Sequence, residues 1–291
     1  MSLPPYTFTG ATALLTGAAS GMGEQMAYGL AARGSNLVLL DRDADRLAVV
    51  ADTIRQTHPH RQVDTHVVDL ADLDALQTTA AAILTRCRRI TLLINNAGVG
   101  LGGEFLDLAA EEFQWVQDIN FRAPVTLTRL LLPTLLASPG SHIVNVSSLF
   151  GLIAPPGQSA YAASKFALRG FSEALRHELA DEGVGVTTVH PGGVRTRIAE
   201  TARVAGSASE EQARAARATF AKLLSYPADK AAEQILDGLA RRKPRVLIAS
   251  SAVTADLVAR LFPTSYLSVL ARLRPRRRPQ PVTAARALHS I

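Results

Sequence analysis

The chain has 291 residues, of which 47% are hydrophobic and 19% are charged, and this balance excludes a disordered protein. The net charge of +6 is uneven, because residues 241–291 hold eleven Lys and Arg against one acid, Asp256. The rest of the chain is therefore mildly acidic. The basic charge belongs to the tail and does not indicate a nucleic-acid-binding domain, so no nucleic-acid partner is predicted.

Cysteine usage and hydropathy narrow the class further. The single cysteine, Cys87, excludes an internal disulfide, and no Cys/His cluster has the spacing of metal ligands, so no metal is predicted. The first residues lack a basic leader with a cleavage site. No uncharged apolar run reaches the ~18–20 residues of a membrane span. Together these features predict a cytoplasmic protein.

Short apolar runs alternate with longer amphipathic stretches along the body of the chain. The runs are apolar on successive residues, which is typical of parallel strands covered on both faces. The alternation predicts an α/β fold with a doubly wound parallel sheet in one domain, residues 1–250, and a basic, partly apolar extension, residues 251–291. Strands are predicted at 11–16, 36–41, 63–69, 90–95, 142–147, 184–190 and 245–250, and helices at 22–33, 43–57, 72–87, 111–136, 160–182 and 227–240.

A glycine-rich stretch, TGAASGMGEQMA, follows the first predicted strand. Gly17, Gly21 and Gly23 fall at the turn and at the start of the next helix. Glycine is needed where the backbone turns tightly and a pyrophosphate approaches closely, and the helix N-terminus supplies amide donors. The motif predicts a dinucleotide site. A glycine-rich turn without a ligand is the alternative.

An acid ends the second predicted strand. Asp41 lies 24 residues after Gly17, where a carboxylate accepts hydrogen bonds from the adenosine ribose and repels a 2′-phosphate. This favours NAD. Arg42, the next residue, could instead bind that phosphate, so NADP stays open, and Asp41 could simply start a turn.

A tyrosine and a lysine stand four residues apart in a predicted helix. Tyr161 and Lys165 therefore share one helix face. Free tyrosine titrates near 10, so proton transfer near neutrality needs a pKa shift of roughly three units, or about 4 kcal/mol. An adjacent ammonium favours the phenolate and would supply part of that shift. An incidental surface contact is the alternative.

The order and spacing of these motifs resemble the short-chain dehydrogenase/reductase family, whose members have a Rossmann fold. The resemblance covers roughly residues 8–250 and leaves the tail outside. It is specific because several independent elements coincide. They are TGxxxGxG at 16–23, NNAG at 95–98, Asn120, Ser148 (13 residues before Tyr161), YxxxK at 161–165 and PG at 191–192.

The resemblance implies four catalytic residues. Tyr161 would be the general acid/base that exchanges a proton with the substrate oxygen, and Ser148 would orient that oxygen. Lys165 would lower the pKa of Tyr161 and bind the nicotinamide ribose. Asn120 would hold a water between solvent and Lys165.

The resemblance also implies a nicotinamide cofactor, with NAD favoured over NADP. The segment at 191–192 would pass beside the nicotinamide, and Thr196 would contact its carboxamide or a phosphate. Asp69 would lie near the adenine. The implied cofactor-binding residues are Gly17, Ser20, Gly21, Met22, Gly23, Asp41, Arg42, Asp69, Leu70, Asn95, Ala97, Gly98, Tyr161, Lys165, Pro191, Gly192, Val194 and Thr196.

The predicted function is an NAD(P)-dependent oxidoreductase that interconverts a hydrophobic (secondary) alcohol and its ketone, or an alcohol and its aldehyde. The substrate lid would be residues 197–225, which are alanine-rich, charged and weakly packed. An NADPH-dependent carbonyl reductase is the alternative. A non-catalytic dinucleotide-binding scaffold would have lost the serine, tyrosine or lysine, and none is lost. The other wall of the pocket would come from Leu149, Phe150, Leu152 and Ile153, for which ordinary core packing is an equal explanation.

The tail places apolar residues before an arginine cluster at 272–278. This pattern fits an interfacial helix drawn to anionic lipid, at roughly 1 kcal/mol per basic residue, so peripheral membrane contact is one interpretation. Covering the substrate pocket or a partner subunit is the other. Pro263 interrupts any single long helix. The helices at 111–136 and 160–182 resemble the faces through which family members dimerise, which predicts a homodimer or homotetramer.

Overall fold

The computed structural model describes residues 3–87, 89–206 and 209–273. Within these residues all seven predicted strands are present, and they form one sheet in which every neighbouring pair is parallel. Two further strands of two residues each pair outside that sheet and are too short to show a pattern in the sequence. The strands are β1 Thr12–Thr16, β2 Asn36–Asp41, β3 Val63–Val67, β4 Leu92–Asn95, β5 Leu101–Gly102, β6 His142–Val146, β7 Gly185–Pro191, β8 Arg203–Val204 and β9 Arg245–Ile248.

The order of the strands across the large sheet is β3-β2-β1-β4-β6-β7-β9. The chain runs from β1 outward to β3, and then returns to the other side of β1 to add β4 and its successors. The connections therefore diverge between β1 and β4, and a crevice opens there at the carboxyl ends of the strands. This doubly wound α/β architecture confirms the predicted fold class.

The predicted helices are also present. The stretch predicted as one helix over 111–136 is two helices joined by a π-helical turn, Asp118–Arg122, which carries Asn120. The helix predicted over 160–182 ends earlier, at Glu178. The helices are α1 Gly21–Ala32, α2 Ala44–Thr57, α3 Leu73–Arg86, α4 Ala110–Gln117, α5 Ala123–Leu136, α6 Ser159–Glu178, α7 Ile198–Thr201, α8 Glu210–Ala221, α9 Ala228–Ala240, α10 Ala249–Leu261 and α11 Tyr266–Leu273.

Two apolar clusters cover the two faces of the sheet. Successive strand residues point to opposite faces, so Leu14 packs in one cluster with Leu127, while Leu15 packs in the other with Met26 and Leu236. All five side chains are fully buried. Burying a leucine side chain contributes roughly 1.5–3 kcal/mol to the free energy of unfolding. Because helices cover both faces of the sheet, this burial fixes the strands and the positions of their ends.

The lid and the C-terminal extension differ in how they pack. α8, in the lid, has no buried residue, which agrees with its charged, alanine-rich sequence. α10 buries Ala252, Ala255 and Val258 against the body. The arginine cluster of the tail lies outside the described residues from position 274 onward. No helix in the described ranges combines the length and the apolar character needed to cross a membrane.

Candidate active site

The glycine turn closes tightly between β1 and α1. Gly17 has φ +68°, and a Cβ there would lie 2.8 Å from the Cα of Ala97. A Cβ on Gly23 would lie 1.9 Å from the carbonyl oxygen of Gly17, so both positions accept only glycine in this conformation. Ser20, the residue before α1, makes no side-chain capping bond and lines the cavity. The N-terminus of α1 with its partial positive charge therefore borders a space that suits an anionic group.

A cavity of about 420 Å³ runs along the carboxyl ends of the strands, from the glycine turn to the catalytic candidates. Among the predicted site residues, Gly21, Asn95 and Asn120 do not line it. Gly21 instead packs under Thr196, since a Cβ there would lie 3.0 Å from the threonine side chain. The predicted residues that do line the cavity are Gly17, Ser20, Met22, Gly23, Asp41, Arg42, Asp69, Leu70, Ala97, Gly98, Ser148, Tyr161, Lys165, Pro191, Gly192, Val194 and Thr196.

The end of β2 holds a carboxylate with two backbone donors. Oδ2 of Asp41 accepts from the amide of Ala19 (2.9 Å), and Oδ1 accepts from the amide of Asp43 (3.0 Å). The carboxylate is thereby fixed at the cavity wall beside the exposed Arg42. Asp43 is bridged to Arg197 of the lid, which also lines the cavity. The sequence analysis had not placed Arg197 near this end of the site.

The two asparagines of NNAG have separate roles. Asn95 points under the sheet, where its Nδ2 donates to Oδ1 of Asn145 (2.8 Å). Asn96 lines the cavity and donates from Nδ2 to the carbonyl oxygens of Thr16 (3.0 Å) and Gly17 (3.2 Å). Its own Oδ1 is buried without a hydrogen-bond partner among the described residues. Asn96 is thus a cavity residue that the motif contained and the sequence analysis did not single out.

Ser148, Tyr161 and Lys165 meet at the far end of the cavity. The Ser148 hydroxyl is hydrogen-bonded to the Tyr161 phenol, and the Lys165 Nζ lies 5.8 Å from the centroid of the phenol ring. Nζ donates to the carbonyl oxygen of Val146 (3.0 Å), and Lys165 is only 3% exposed. These three side chains come from the loop after β6 and from the first turns of α6. The structure thus brings the three side chains together at one end of the cavity.

Burial sets the direction of the pKa shifts of Tyr161 and Lys165. Burial raises the pKa of the phenol, and the hydrogen bond from Ser148 opposes that rise. Burial also lowers the pKa of Lys165 to about 8. Desolvation disfavours the charged form of each group, so it raises the pKa of the phenol and lowers that of the ammonium. That Lys165 lowers the pKa of Tyr161 in the working enzyme stays a prediction.

Asn120 lies behind the site, in the π-helical turn. Its Oδ1 accepts from the amide of Val99 (2.8 Å), and its Nδ2 donates to the carbonyl of Val99 (3.0 Å) and to Oγ of Ser164 (3.1 Å). A Cβ on Gly98 would lie 3.1 Å from Lys165 Nζ and 3.3 Å from Asn120 Oδ1. Asn120 therefore fixes the backbone that passes beside Lys165.

The substrate end of the cavity is apolar. Leu149 and Phe150 line it, and the Phe150 ring meets Tyr161 edge to face at 6.0 Å between centroids. Leu152 and Ile153 are buried but do not line it. The residues of the opposite wall were not predicted individually. The apolar residues within the otherwise charged segment 197–225 could have indicated them. This wall consists of Ile198, Phe220, Leu223 and Leu224, with Ser251 from the extension.

The polar groups around the cavity are backbone amides, hydroxyls, carboxylates, an ammonium and the guanidinium groups of Arg42 and Arg197. In the described part of the chain, no three His, Cys, Asp or Glu side chains are grouped so that they could hold a metal ion. The tight glycine turn, the N-terminus of α1 and the orphaned Asn96 Oδ1 fit a phosphate-bearing dinucleotide.

Comparison of sequences finds the same relationship over most of the chain. The family model described as short chain dehydrogenase matches residues 11–205. SadH of Mycobacterium tuberculosis is 38% identical over 268 residues, which cover 91% of this chain and 95% of that protein. The dehydrogenase/reductase SDR family member 7B of Xenopus laevis is 33% identical over 273 residues, covering 89% and 80%.

Comparison of structures agrees with the sequence matches. A short-chain dehydrogenase/reductase from Burkholderia phymatum, solved in complex with NAD, superposes with a TM-score of 0.79 at 28% identity, covering 95% of this chain and all of that one. A short-chain dehydrogenase from Sphingobium yanoikuyae, solved with NADPH, superposes with a TM-score of 0.72 at 28% identity, also covering 95% and all of that chain. The neighbours thus include both forms of the dinucleotide.

Proposed function

The chain belongs to the short-chain dehydrogenase family of NAD(P)-dependent oxidoreductases, and from that premise we propose that it interconverts a hydrophobic secondary alcohol and its ketone. The observation that carries this proposal is the meeting of Ser148 and Tyr161 with an apolar wall in one cavity. A hydrophobic pocket with few polar groups binds an apolar substrate and orients it by its single oxygen.

The proposed proton path uses three side chains. The Tyr161 phenol gives its proton to the carbonyl oxygen in reduction and takes one from the hydroxyl in oxidation. Ser148, already hydrogen-bonded to that phenol, orients the same substrate oxygen. Lys165 holds a positive charge beside the phenol ring at 5.8 Å. Asn120 keeps the Val99 backbone, and with it the Lys165 environment, in position.

The proposed cofactor site uses the other half of the cavity. The pyrophosphate would lie on the turn at 17–23 and the N-terminus of α1, and Asp41 would accept from the adenosine ribose hydroxyls. When bound, the nicotinamide supplies the hydride donor or acceptor. The remaining proposed contacts are Asp69 and Leu70 near the adenine, Ala97 and Gly98 along the ribose, and Pro191, Gly192, Val194 and Thr196 beside the nicotinamide. Asn95, which points away from the cavity, is no longer among them.

NAD is the proposed cofactor, since the fixed Asp41 carboxylate would repel a 2′-phosphate. An NADPH-dependent carbonyl reductase is the second candidate, and it is favoured by a specific observation. Arg42 is exposed at the cavity edge, and Arg197 of the lid lies against the neighbouring Asp43. Calorimetric titration with NAD and NADP, each oxidised and reduced, separates the two candidates.

The activity itself is tested by a substrate screen. Hydrophobic secondary alcohols and ketones are offered with the preferred cofactor, and turnover is followed by the absorbance of the reduced nicotinamide. Tyr161→Phe should lower kcat by at least ~100-fold while dinucleotide binding is kept. Tyr28→Phe, a tyrosine on α1 that donates to Glu24, is the matched control and should keep full turnover. Failure of the folded protein to bind any dinucleotide would refute the proposal.

The proposed assembly is a homodimer or homotetramer in which α5 and α6 face a second copy. Phe166 on α6 is 39% exposed, which is unusual for a phenylalanine on a packed helix. Sedimentation of the wild-type chain should give at least a dimer, and Phe166→Asp should shift it toward the monomer. A wild-type monomer would refute this part of the proposal.

The extension beyond about residue 250 is proposed to serve the catalytic unit and an anionic membrane surface. Ser251 lines the cavity, and the Tyr266 hydroxyl accepts from the amide of Ala154 (3.1 Å) beside the substrate wall. α10 also exposes a stripe at i, i+4 and i+8: Val253 (51%), Leu257 (57%) and Leu261 (63%).

Vesicle sedimentation tests the membrane contact. Binding should require anionic lipid and should fall in Leu257→Asp. The matched control is Leu106→Asp, because Leu106 is 94% exposed but lies outside the extension. Equal binding to neutral vesicles, or an equal loss in both variants, would contradict a specific surface on α10.

A further inference from the structure

A side-chain contact of His190 follows directly after the last backbone hydrogen bond between the β6 and β7 segments. The amide of Ser147 donates to the carbonyl of Val189 (2.8 Å), just beyond the paired strands. At the next residue, Nδ1 of His190 lies 3.0 Å from the backbone oxygen of Ser148. The same oxygen accepts from the amide of Gly151 (3.0 Å). The backbone of the candidate catalytic serine is therefore held from two sides.

The chemistry of the contact defines the tautomer of His190. A carbonyl oxygen only accepts, so Nδ1 must carry the proton. The ring is fully buried, and burial lowers its pKa to about 4. The charges of Arg245 and Arg169 contribute to this lowering, while the hydrogen bond to Ser148 and the charge of Asp256 oppose it. The ring is neutral at pH 7, and Nε2 is left with a lone pair.

Nε2 of His190 is buried without a hydrogen-bond partner among the described residues, and so are Oγ1 of Thr188 and Nε of Arg245. Thr188 and His190 alternate onto the same sheet face, and Arg245 on β9 pairs in register with Thr188. The hydrogen bond of the ring to the described chain is therefore made through Nδ1.

Arg245 is anchored in the C-terminal extension. The guanidinium of Arg245 donates to both carboxylate oxygens of Asp256 on α10, one of them at 3.0 Å. Arg260 also donates to Asp256, at 3.1 Å. These ion pairs hold the start of β9, which pairs with the strand that carries His190.

We propose that His190 is a positioning residue for Ser148. The role in turnover rests on the proposed function, because Ser148 must act on the substrate oxygen for its position to matter. The hydrogen bond from the ring to Ser148 stands apart from that function. The two parts are therefore tested by different measurements.

Two substitutions separate the two nitrogens of the ring. His190→Asn puts an amide nitrogen where Nδ1 lies, so kcat should stay within about threefold of wild type. His190→Gln moves its polar atoms toward the Nε2 position and leaves the Ser148 oxygen without its donor. Because small displacements of reacting groups cost large factors in rate, this variant should lose at least ~10-fold in kcat. KM and the dinucleotide Kd should change by less than about twofold in both.

The tautomer is measured without any substrate. Long-range proton–nitrogen NMR of histidine-labelled protein, with the His190 signal identified from His190→Asn, should show a neutral ring protonated at Nδ1. A proton on Nε2 would overturn the hydrogen bond to Ser148. Equal losses of kcat in both variants, matched by equal losses of thermal stability, would overturn the positioning role. If wild type turns over no substrate, the proposed function fails, and the tautomer still decides the His190–Ser148 contact.

Discussion

Arg197 of the lid donates from Nη1 to Oδ2 of Asp43, across 3.3 Å. Asp43 also caps α2, since its Oδ1 accepts from the amide of Arg46 at 3.2 Å. The contact therefore ties the lid to a fixed point at the end of β2, next to the carboxylate of Asp41. It closes the cavity at the end where the adenosine is proposed to bind.

Removing this contact should weaken cofactor binding more than folding. Both side chains are more than a third exposed, so the pair contributes at most about 1 kcal/mol to stability. Arg197→Ala should raise the dinucleotide Kd by roughly three- to tenfold in calorimetry, because the untethered lid samples open states. Arg195→Ala is the control, since this arginine bonds to the Ser225 carbonyl and does not line the cavity. An unchanged Kd in Arg197→Ala would disprove the tether.

The charge of Asp41 should set the choice of cofactor. Asp41→Asn keeps a side-chain acceptor near the amides of Ala19 and Asp43 but removes the repulsion of a 2′-phosphate. The ratio of NADP to NAD affinity should rise by about tenfold or more. Arg42→Ala should lower NADP affinity and leave NAD affinity unchanged. If Arg42→Ala weakens the binding of both dinucleotides equally, the arginine does not contact the 2′-phosphate.

The buried charge of Lys165 should lower the free energy of unfolding, although turnover requires this residue. Burial lowers the pKa of Lys165 from its usual value to about 8, so keeping the ammonium charged at pH 7 costs about 3 kcal/mol. Lys165→Met should therefore raise the free energy of unfolding by roughly 1–3 kcal/mol, after the loss of the Val146 contact, and should abolish turnover. Lys230→Met, at an exposed site on α9, should change stability by less than about 0.5 kcal/mol. Urea unfolding measures both, and a less stable Lys165→Met would be the contrary result.

Stability should fall in mild acid because two buried histidines resist protonation. Burial lowers the pKa of His142 to about 3 and that of His190 to about 4, each helped by a nearby arginine. The unfolded chain protonates both histidines below about pH 6.5, whereas the folded chain keeps them neutral to a lower pH. The stability that depends on the neutral rings is therefore complete above about pH 6.5 and is lost as the pH falls toward 4.

This loss of stability is measured as the slope of the unfolding free energy against pH. Each histidine should contribute about 1.4 kcal/mol per pH unit to the free energy of unfolding between pH 6 and pH 5. His190→Asn should remove one of the two contributions, so its unfolding free energy should depend less steeply on pH than that of wild type. Identical slopes for the two proteins would show that His190 is protonated in the folded state as readily as in the unfolded chain.

Much of the architecture was readable from local patterns. Most strands of the large sheet could be predicted because they are buried on both faces and carry apolar side chains on successive residues. β3, at the edge of the sheet, is the exception to this pattern, since it is only partly buried and carries polar residues. The glycine turn was equally readable, since Gly17 and Gly23 occupy positions where a Cβ would collide with backbone. β5 and β8 were not predicted because two residues are too few for a periodic pattern.

By itself, the sequence determined the order of the seven strands of the large sheet and the glycine turn after the first of them, and it made Ser148, Tyr161 and Lys165 the catalytic candidates, because backbone periodicity and motif spacing are local properties. Only the tertiary structure decided what depends on distant neighbours and on burial. It brought Arg197 to Asp43 and turned Asn96 rather than Asn95 toward the cavity. It also raised the pKa of the Tyr161 phenol, because desolvation depends on all the elements that close around a side chain.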